Sequence, residues 1–341
     1  MSQSKRMNRR EVAFTLLAGA AGLAGAPARA LAQAPGRKRR IGFLTLRSHP
    51  NEFDAAFRDA LGGLGYVEGR TIEIVYRWAA GSEKRAGELA AELVTLNVEV
   101  IVAATTGAIR AALRATKTIP IVMAASADPD VAGLVASIAR PGANVTGLSM
   151  LSADTAMKRL ELLREVVPTA TRVAVLIRGA SLPRADEQTN IALVDALKAA
   201  SRKLGLSLVA VGIVSAADLE SAFATFRHER AQALIVQASP LTIDNRARVV
   251  DLVARDRLPT MYEVEGFVEV GGLLSYGPSL VEMYRRAAGY VDKVLRGAKP
   301  ADLPVELPTR YHLAINLSAA KALALNIPQA LLLRADRLIE Q

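Results

Sequence analysis

The sequence contains no cysteine. That excludes disulfides, thiolate metal sites, cysteine nucleophiles and lipid attachment through an N-terminal cysteine. Aromatic residues make up only 4% of the 341 residues, although 51% are hydrophobic. A chain rich in Ala, Val, Leu and Ile but poor in rings suits an α/β architecture, where buried parallel strands read as short apolar runs. The three histidines, His49, His228 and His312, lie far apart and show no metal-ligand spacing. There is no G-x-S-x-G elbow, no phosphate-binding G-x-x-x-x-G-K-[ST] and no H-E-x-x-H. Gly62, Gly63 and Gly65 close a helical pattern instead of opening one, so they form no dinucleotide fingerprint. Glu263 and Glu265 read as an exposed acidic pair. No catalytic residue, metal or cofactor is expected.

Charge is abundant but local. The net charge is +10, and Lys5, Arg6, Arg9, Arg10, Arg37, Lys38, Arg39 and Arg40 cluster at the start. The remainder is nearly balanced, which argues for a basic tail and against nucleic-acid binding. Residues 5–32 have the order of a secretory signal: a basic stretch, the apolar run 12–26, Pro27, and Ala30 and Ala32 framing a cleavage site before Gln33. The apolar run is short for a membrane span, which needs roughly 20 residues. Arg9-Arg10 resembles a twin-arginine export signal, with Sec-type export as the alternative. The expected mature protein is periplasmic, has no membrane anchor, and starts with a basic flexible segment at 33–37.

From residue 39 short apolar runs alternate with amphipathic stretches. Strands are expected at 40–45, 71–76, 100–104, 119–124 and 145–149. Helices fall between them, including one near 130–139. The rhythm restarts with strands at 172–177, 207–213, 233–237 and 260–262, the last two separated by a helix expected at 242–257. One further strand is expected at 273–276, a helix at 280–296, and a final strand–helix pair at 311–325. Two runs of alternating elements predict two doubly wound parallel-sheet lobes.

Ligands of open α/β sheets bind beyond the carboxyl ends of the strands. Those positions carry Ser48, Thr105-Thr106-Gly107, Asp128, Ser181, Ser239 and Tyr262. Thr105-Thr106-Gly107 also opens a helix, whose free N–H groups suit a carboxylate. By spacing alone the same turn reads more readily as an ordinary helix cap. Asp128 can accept from a ligand ammonium or cap the helix that follows.

Several segments resemble ABC transporter substrate-binding proteins of the type I periplasmic-binding-protein fold, in the branch with tryptophan- and tyrosine-binding members. They are Leu64-Gly65-Tyr66-Val67-Glu68-Gly69-Arg70, Ile119-Pro120-Ile121-Val122, Arg140-Pro141-Gly142-Ala143-Asn144-Val145-Thr146-Gly147 and Gly271-Gly272-Leu273 with Ser275-Tyr276-Gly277. The resemblance implies two lobes joined by three crossings, near 147–151, 271–273 and 307–309. One lobe would hold 38–148 plus 273–305, and the other 149–272 plus 306–341. It implies a carboxylate cradle at Thr105-Thr106-Gly107, a cleft role for Asp128, and Tyr262 and Tyr276 bordering the opening. The expected activity is non-enzymatic capture of a small carboxylate-bearing solute, an amino acid or aromatic compound, by a monomer that serves an ABC-importer permease. Two alternatives stay open: an exported partner of a receptor kinase, and a regulatory core of the lac-repressor type, which lacks its helix-turn-helix here.

Overall fold

A computed structural model describes residues 38–179 and 188–340. The expected export signal, its cleavage site and Ser181 lie outside the described residues. The first lobe comprises β1 (Arg39–Thr45), α1 (Glu52–Gly63), β2 (Ile72–Trp78), α2 (Glu83–Thr95), β3 (Val100–Ala104), α3 (Thr106–Ala115), β4 (Ile121–Ser126) and β5 (Val145–Ser149). The second comprises α4 (Ala156–Val166), β6 (Arg172–Arg178), α5 (Gln188–Lys203), β7 (Ser207–Ile213), α6 (Asp218–His228), β8 (Ala233–Val236), α7 (Pro240–Asp244), α8 (Arg246–Arg255), β9 (Thr260–Tyr262) and β10 (Leu274–Gly277). The chain then returns to the first lobe as α9 (Leu280–Leu295). It ends in the second as β11 (His312–Asn316), α10 (Leu317–Ala322), α11 (Gln329–Leu332) and β12 (Arg337–Ile339).

The first sheet is wholly parallel, in the order β2-β1-β3-β4-β5. Alternation along β1 sends Ile41 and Phe43 to one face, against Phe57 and Leu61 of α1 and the buried side of α9. Leu44 meets Leu93 of α2 and Ile109 of α3 on the other. Gly42 shares that second face, where a Cβ would lie 3.0 Å from Leu93 Cδ1, so its lack of a side chain lets α2 approach.

The second sheet runs β12-β11-β10-β9-β8-β6-β7, and only the β10–β11 junction is antiparallel. The route of the chain accounts for this exception. β10 runs toward the first lobe, α9 packs there, and the chain re-enters the second lobe from the cleft side. The next strand must therefore run away from the cleft.

Three expectations need correction. β10 pairs with β9 and β11, so the second crossing falls after Gly277 instead of at 271–273, and 274–277 belongs to the second lobe. Strand pairing, which is non-local, decides the point. No helix forms at 130–139. A single turn closes from Ala132 N–H to Asp128 O and from Leu134 N–H to Pro129 O, and Gly133 at φ +66° ends it. The expected helix at 242–257 is two helices, broken at Asn245.

The Arg-Pro-Gly-x-Asn-Val-Thr-Gly run holds together the edge of the first lobe at β5. Asn144 Nδ2 donates to Ile119 O at 2.7 Å, and Thr146 Oγ1 donates to Leu303 O at 2.7 Å. Gly147 has φ +135°, and a Cβ there would sit 2.2 Å from Met123 O. Gly147→Ala is therefore expected to cost about 3 kcal/mol or more, from backbone strain and overpacking together. Urea denaturation of the purified variant measures this cost; a change under about 1 kcal/mol would refute the packing account.

Candidate functional site

The carboxyl ends of the strands in both sheets face each other across a cavity of about 300 Å³. That volume is in the small-molecule range. The first lobe contributes Leu46 and Arg47 after β1, Thr105, Thr106 and Gly107 after β3, and Ala125 and Ala127 around the end of β4. Leu280 and Tyr284 reach in from α9. The second lobe contributes Arg178 and Gly179 at the end of β6, Asn190 on α5, and Gln237, Ala238 and Ser239 after β8.

Local sequence explains how Arg47 comes to be held in this wall. Asn51 and Asp54 form a capping box at the start of α1, and the Asp54 carboxylate accepts from Asn51 N–H at 2.8 Å. The same carboxylate receives both Arg47 guanidinium nitrogens, at 2.6 and 2.9 Å. Burial works against the Arg47 charge, but Tyr284 and Asp54 outweigh it and hold its pKa above the ordinary value. Gln237 is fixed in turn by Arg178 N–H and by Asn190, so the facing wall is also ordered.

Thr105 adopts φ +102° and ψ 144°, a costly conformation for a β-branched residue. Its hydroxyl accepts from Ala108 N–H at 3.4 Å, while the first-turn N–H groups of α3 have no acceptor within the helix. The sharp corner lays the start of this helix along the cavity wall, where the partial positive end can meet an anion.

Of the expected site residues, the structure brings Thr105, Thr106, Gly107 and Ser239 to the cavity. Four others are placed elsewhere. Ser48 bridges the lobes outside the cavity, its N–H donating to Asp244 Oδ2 at 2.7 Å. Tyr262 is fully buried because its ring stacks on Phe267, with centroids 4.6 Å apart. Tyr276 packs on Tyr311 in the second sheet. Asp128 is buried behind the wall, against the first crossing. Residues the sequence did not single out for this role, Arg47, Arg110, Arg178, Asn190, Gln237 and Tyr284, line the cavity instead. The sequence signals for two of them are the capping box just after Arg47 and the position of Arg110 one turn beyond Thr106.

The pair Glu263 and Glu265 is not uniformly exposed. Glu263 is 1% exposed and binds Arg159, itself 0% exposed, at 2.8 Å. Arg159 also donates to Ser152 O in the first crossing and to Tyr276 O beside the second. The other Glu263 oxygen accepts from the N–H of Ala238 in the cavity wall. Burial raises the Glu263 pKa, opposed by Arg159. Burial likewise pushes Asp128 up to about 7, helped by the nearby charges of Glu263, Asp154 and Asp130 and opposed by the N–H of Ala153.

Contacts at the cleft mouth join the lobes. Arg246 reaches Glu52 at 2.5 Å, and Arg178 donates to Gly81 O at 3.0 Å and lies 3.6 Å from Glu83. Among the described residues no cluster of acids and histidines could hold a metal ion, and no helix is long and apolar enough to cross a membrane.

The family model for "ABC transporter substrate binding protein" matches residues 41–339. The chain belongs to this family. A curated relative, the tyrosine-binding protein of Clostridioides difficile (strain R20291), is 29% identical over 290 residues, covering 84% of this chain and 81% of the relative. A Streptococcus pneumonia ABC domain in complex with L-Trp superposes with a TM-score of 0.80 at 27% identity, covering 89% of this chain and 100% of that one. A ligand-free, open substrate-binding protein with adhesive properties from Clostridium difficile has equal coverage and 26% identity, but a TM-score of 0.62. At nearly equal identity, this substrate-binding protein matches the liganded arrangement better than the open one, in keeping with its bridged mouth. Its two α/β lobes have the type I periplasmic-binding-protein fold.

Two outcomes follow from the buried charges. Arg159→Met is expected to destabilise the protein by about 3–5 kcal/mol, since it leaves Glu263 without its cation. Adding Glu263→Leu is expected to recover part of that loss in chemical denaturation. The folded-state value of Asp128, about 7, lies above the ordinary 3.8. Its ionisation therefore destabilises the fold progressively from about pH 4, and fully above about pH 7. Asp128→Asn should match the parent near pH 4 and melt higher at pH 8. Equal melting temperatures at both pH values would remove the case for a buried, reluctant carboxylate.

Proposed function

We propose that this protein captures a small carboxylate-bearing solute between its lobes and delivers it to the permease of an ABC importer. The observation that carries the reading is the interlobe cavity at the strand ends, with the first turn of α3 in its wall. An N-terminal helix end meets a carboxylate favourably, and hinge closure around a solute suits two lobes joined by three crossings. The names of the relatives, a tyrosine-binding protein and an L-Trp complex, point to ring-bearing acids as first candidates. Phe53 and Tyr284 in the wall offer apolar ring surface.

The order of basic, apolar and small residues over 5–32 supports export, through the twin-arginine or Sec route, to the periplasm. A monomer acting as a carrier between solute and permease fits this setting. Among the described residues of the cavity no nucleophile is paired with a base, and binding without turnover is our reading of the chemistry.

A thermal-shift panel of amino acids, aromatic acids, aliphatic acids and neutral sugars tests the proposal. A native-state ligand at a hundred times its Kd stabilises by about 2.7 kcal/mol. At least one carboxylate should raise the melting temperature by several degrees, without being altered by incubation. If only neutral solutes shift the transition, the carboxylate reading is wrong.

A further inference from the structure

The amino acids bound by relatives carry an ammonium beside their carboxylate, and a site that shields them from water must pair both. The charged side chains that line this one are Arg47, Glu83, Arg110 and Arg178. Arg47 is matched by Asp54, which takes both of its terminal nitrogens. Glu83 is half-exposed at the mouth and lies 3.6 Å from Arg178. Arg110, by contrast, has no ion pair or hydrogen bond among the described residues. It stands four residues after Thr106, on the same face of α3 and one turn from the free N–H groups.

No acid in the described lining remains for an ammonium: Glu83 faces Arg178, and Asp244, whose Oδ2 accepts from Ser48 N–H while its Oδ1 has no partner, does not line the cavity. Asp128 is sealed behind the wall. Glu263 is committed to Arg159 and the N–H of Ala238. Asp54 is committed to Arg47 and Asn51. The described lining thus has one unmatched cation beside a positive helix end, and no unmatched anion. Around that polar corner the wall is apolar: Leu46, Phe53, Met150, Ile243, Leu280 and Tyr284. A buried ammonium without a partner is costly, whereas a carboxylate here gains charge-assisted bonds.

We propose that the solute is a carboxylic acid with an apolar skeleton and no charged amino group, its carboxylate received by Arg110 and the first turn of α3. This rests on the reading of the cleft as a carboxylate site and narrows it to one class.

Titration calorimetry of the purified protein against three matched pairs tests the assignment: hydrocinnamate and L-phenylalanine, indolepropionate and L-tryptophan, isocaproate and L-leucine. In at least one pair the acid lacking the amino group should bind at least about tenfold more tightly than its amino acid. Arg110→Gln should weaken that binding by about tenfold while leaving the melting temperature of the free protein unchanged. If in every pair that binds the amino acid is held as tightly as its partner, or tighter, the assignment is overturned and the cleft reading stands. Unchanged affinity in Arg110→Gln also overturns it. If none of the six binds, this inference falls, while the wider thermal-shift panel decides the cleft reading by itself.

Discussion

The buried guanidinium of Arg159 is the interaction on which the two-lobed arrangement turns. It donates to a carbonyl in the first crossing, to a carbonyl beside the second, and to the carboxylate of Glu263. Glu263 in turn holds the N–H of Ala238, a residue of the cavity wall. A continuous run of charge-assisted hydrogen bonds thus links the hinge to the binding surface. A buried ion pair of this kind is poor evidence of added stability, because desolvating both charges offsets much of their attraction. Its value here is positional: the chain segments that must stay in register when the lobes move share one donor.

The same economy governs the cleft. Asp54 caps α1 and holds Arg47 in the wall, so the start of a helix and the placement of a site residue depend on one carboxylate. Thr105 bears a strained backbone at the corner where β3 hands over to α3, and sparsely populated conformations of this sort persist where the surrounding structure over-determines them. The lobes meet at the mouth through ion pairs that are partly exposed, each worth little by itself. A closure held by weak contacts can reopen, which release of a solute requires.

Much of the fold was legible because burial leaves a local signature. Apolar runs such as 100–104 and the spacing of Phe53, Ala56, Phe57 and Leu61 predict a strand and a helix, and both form. The family motif was legible too, yet its residues serve the packing of one lobe and not the cleft, as Asn144 and Gly147 show. What could not be read depends on partners far away in sequence. β10 belongs to the second sheet because of β9 and β11, and Tyr262 is closed off by Phe267. The cleft was half legible: Thr105-Thr106-Gly107 and Ser239 announce themselves as strand-end turns. Arg110 looks like any arginine on a solvated helix face, and Gln237 like the end of a strand.

The first and third crossings are joined to each other. Ser149 N–H donates to Glu306 O, and Glu306 N–H donates to Gly147 O, so the two segments form a short parallel ladder. Three independent strings would permit sliding, twisting and swinging alike. Two of them laced together, with the third alongside, define an axis, and rotation about an axis is a single degree of freedom. Displacement about such an axis grows with distance from it, and Ala238 in the cavity wall is tied through Glu263 and Arg159 to the carbonyls of Ser152 and Tyr276 beside that axis.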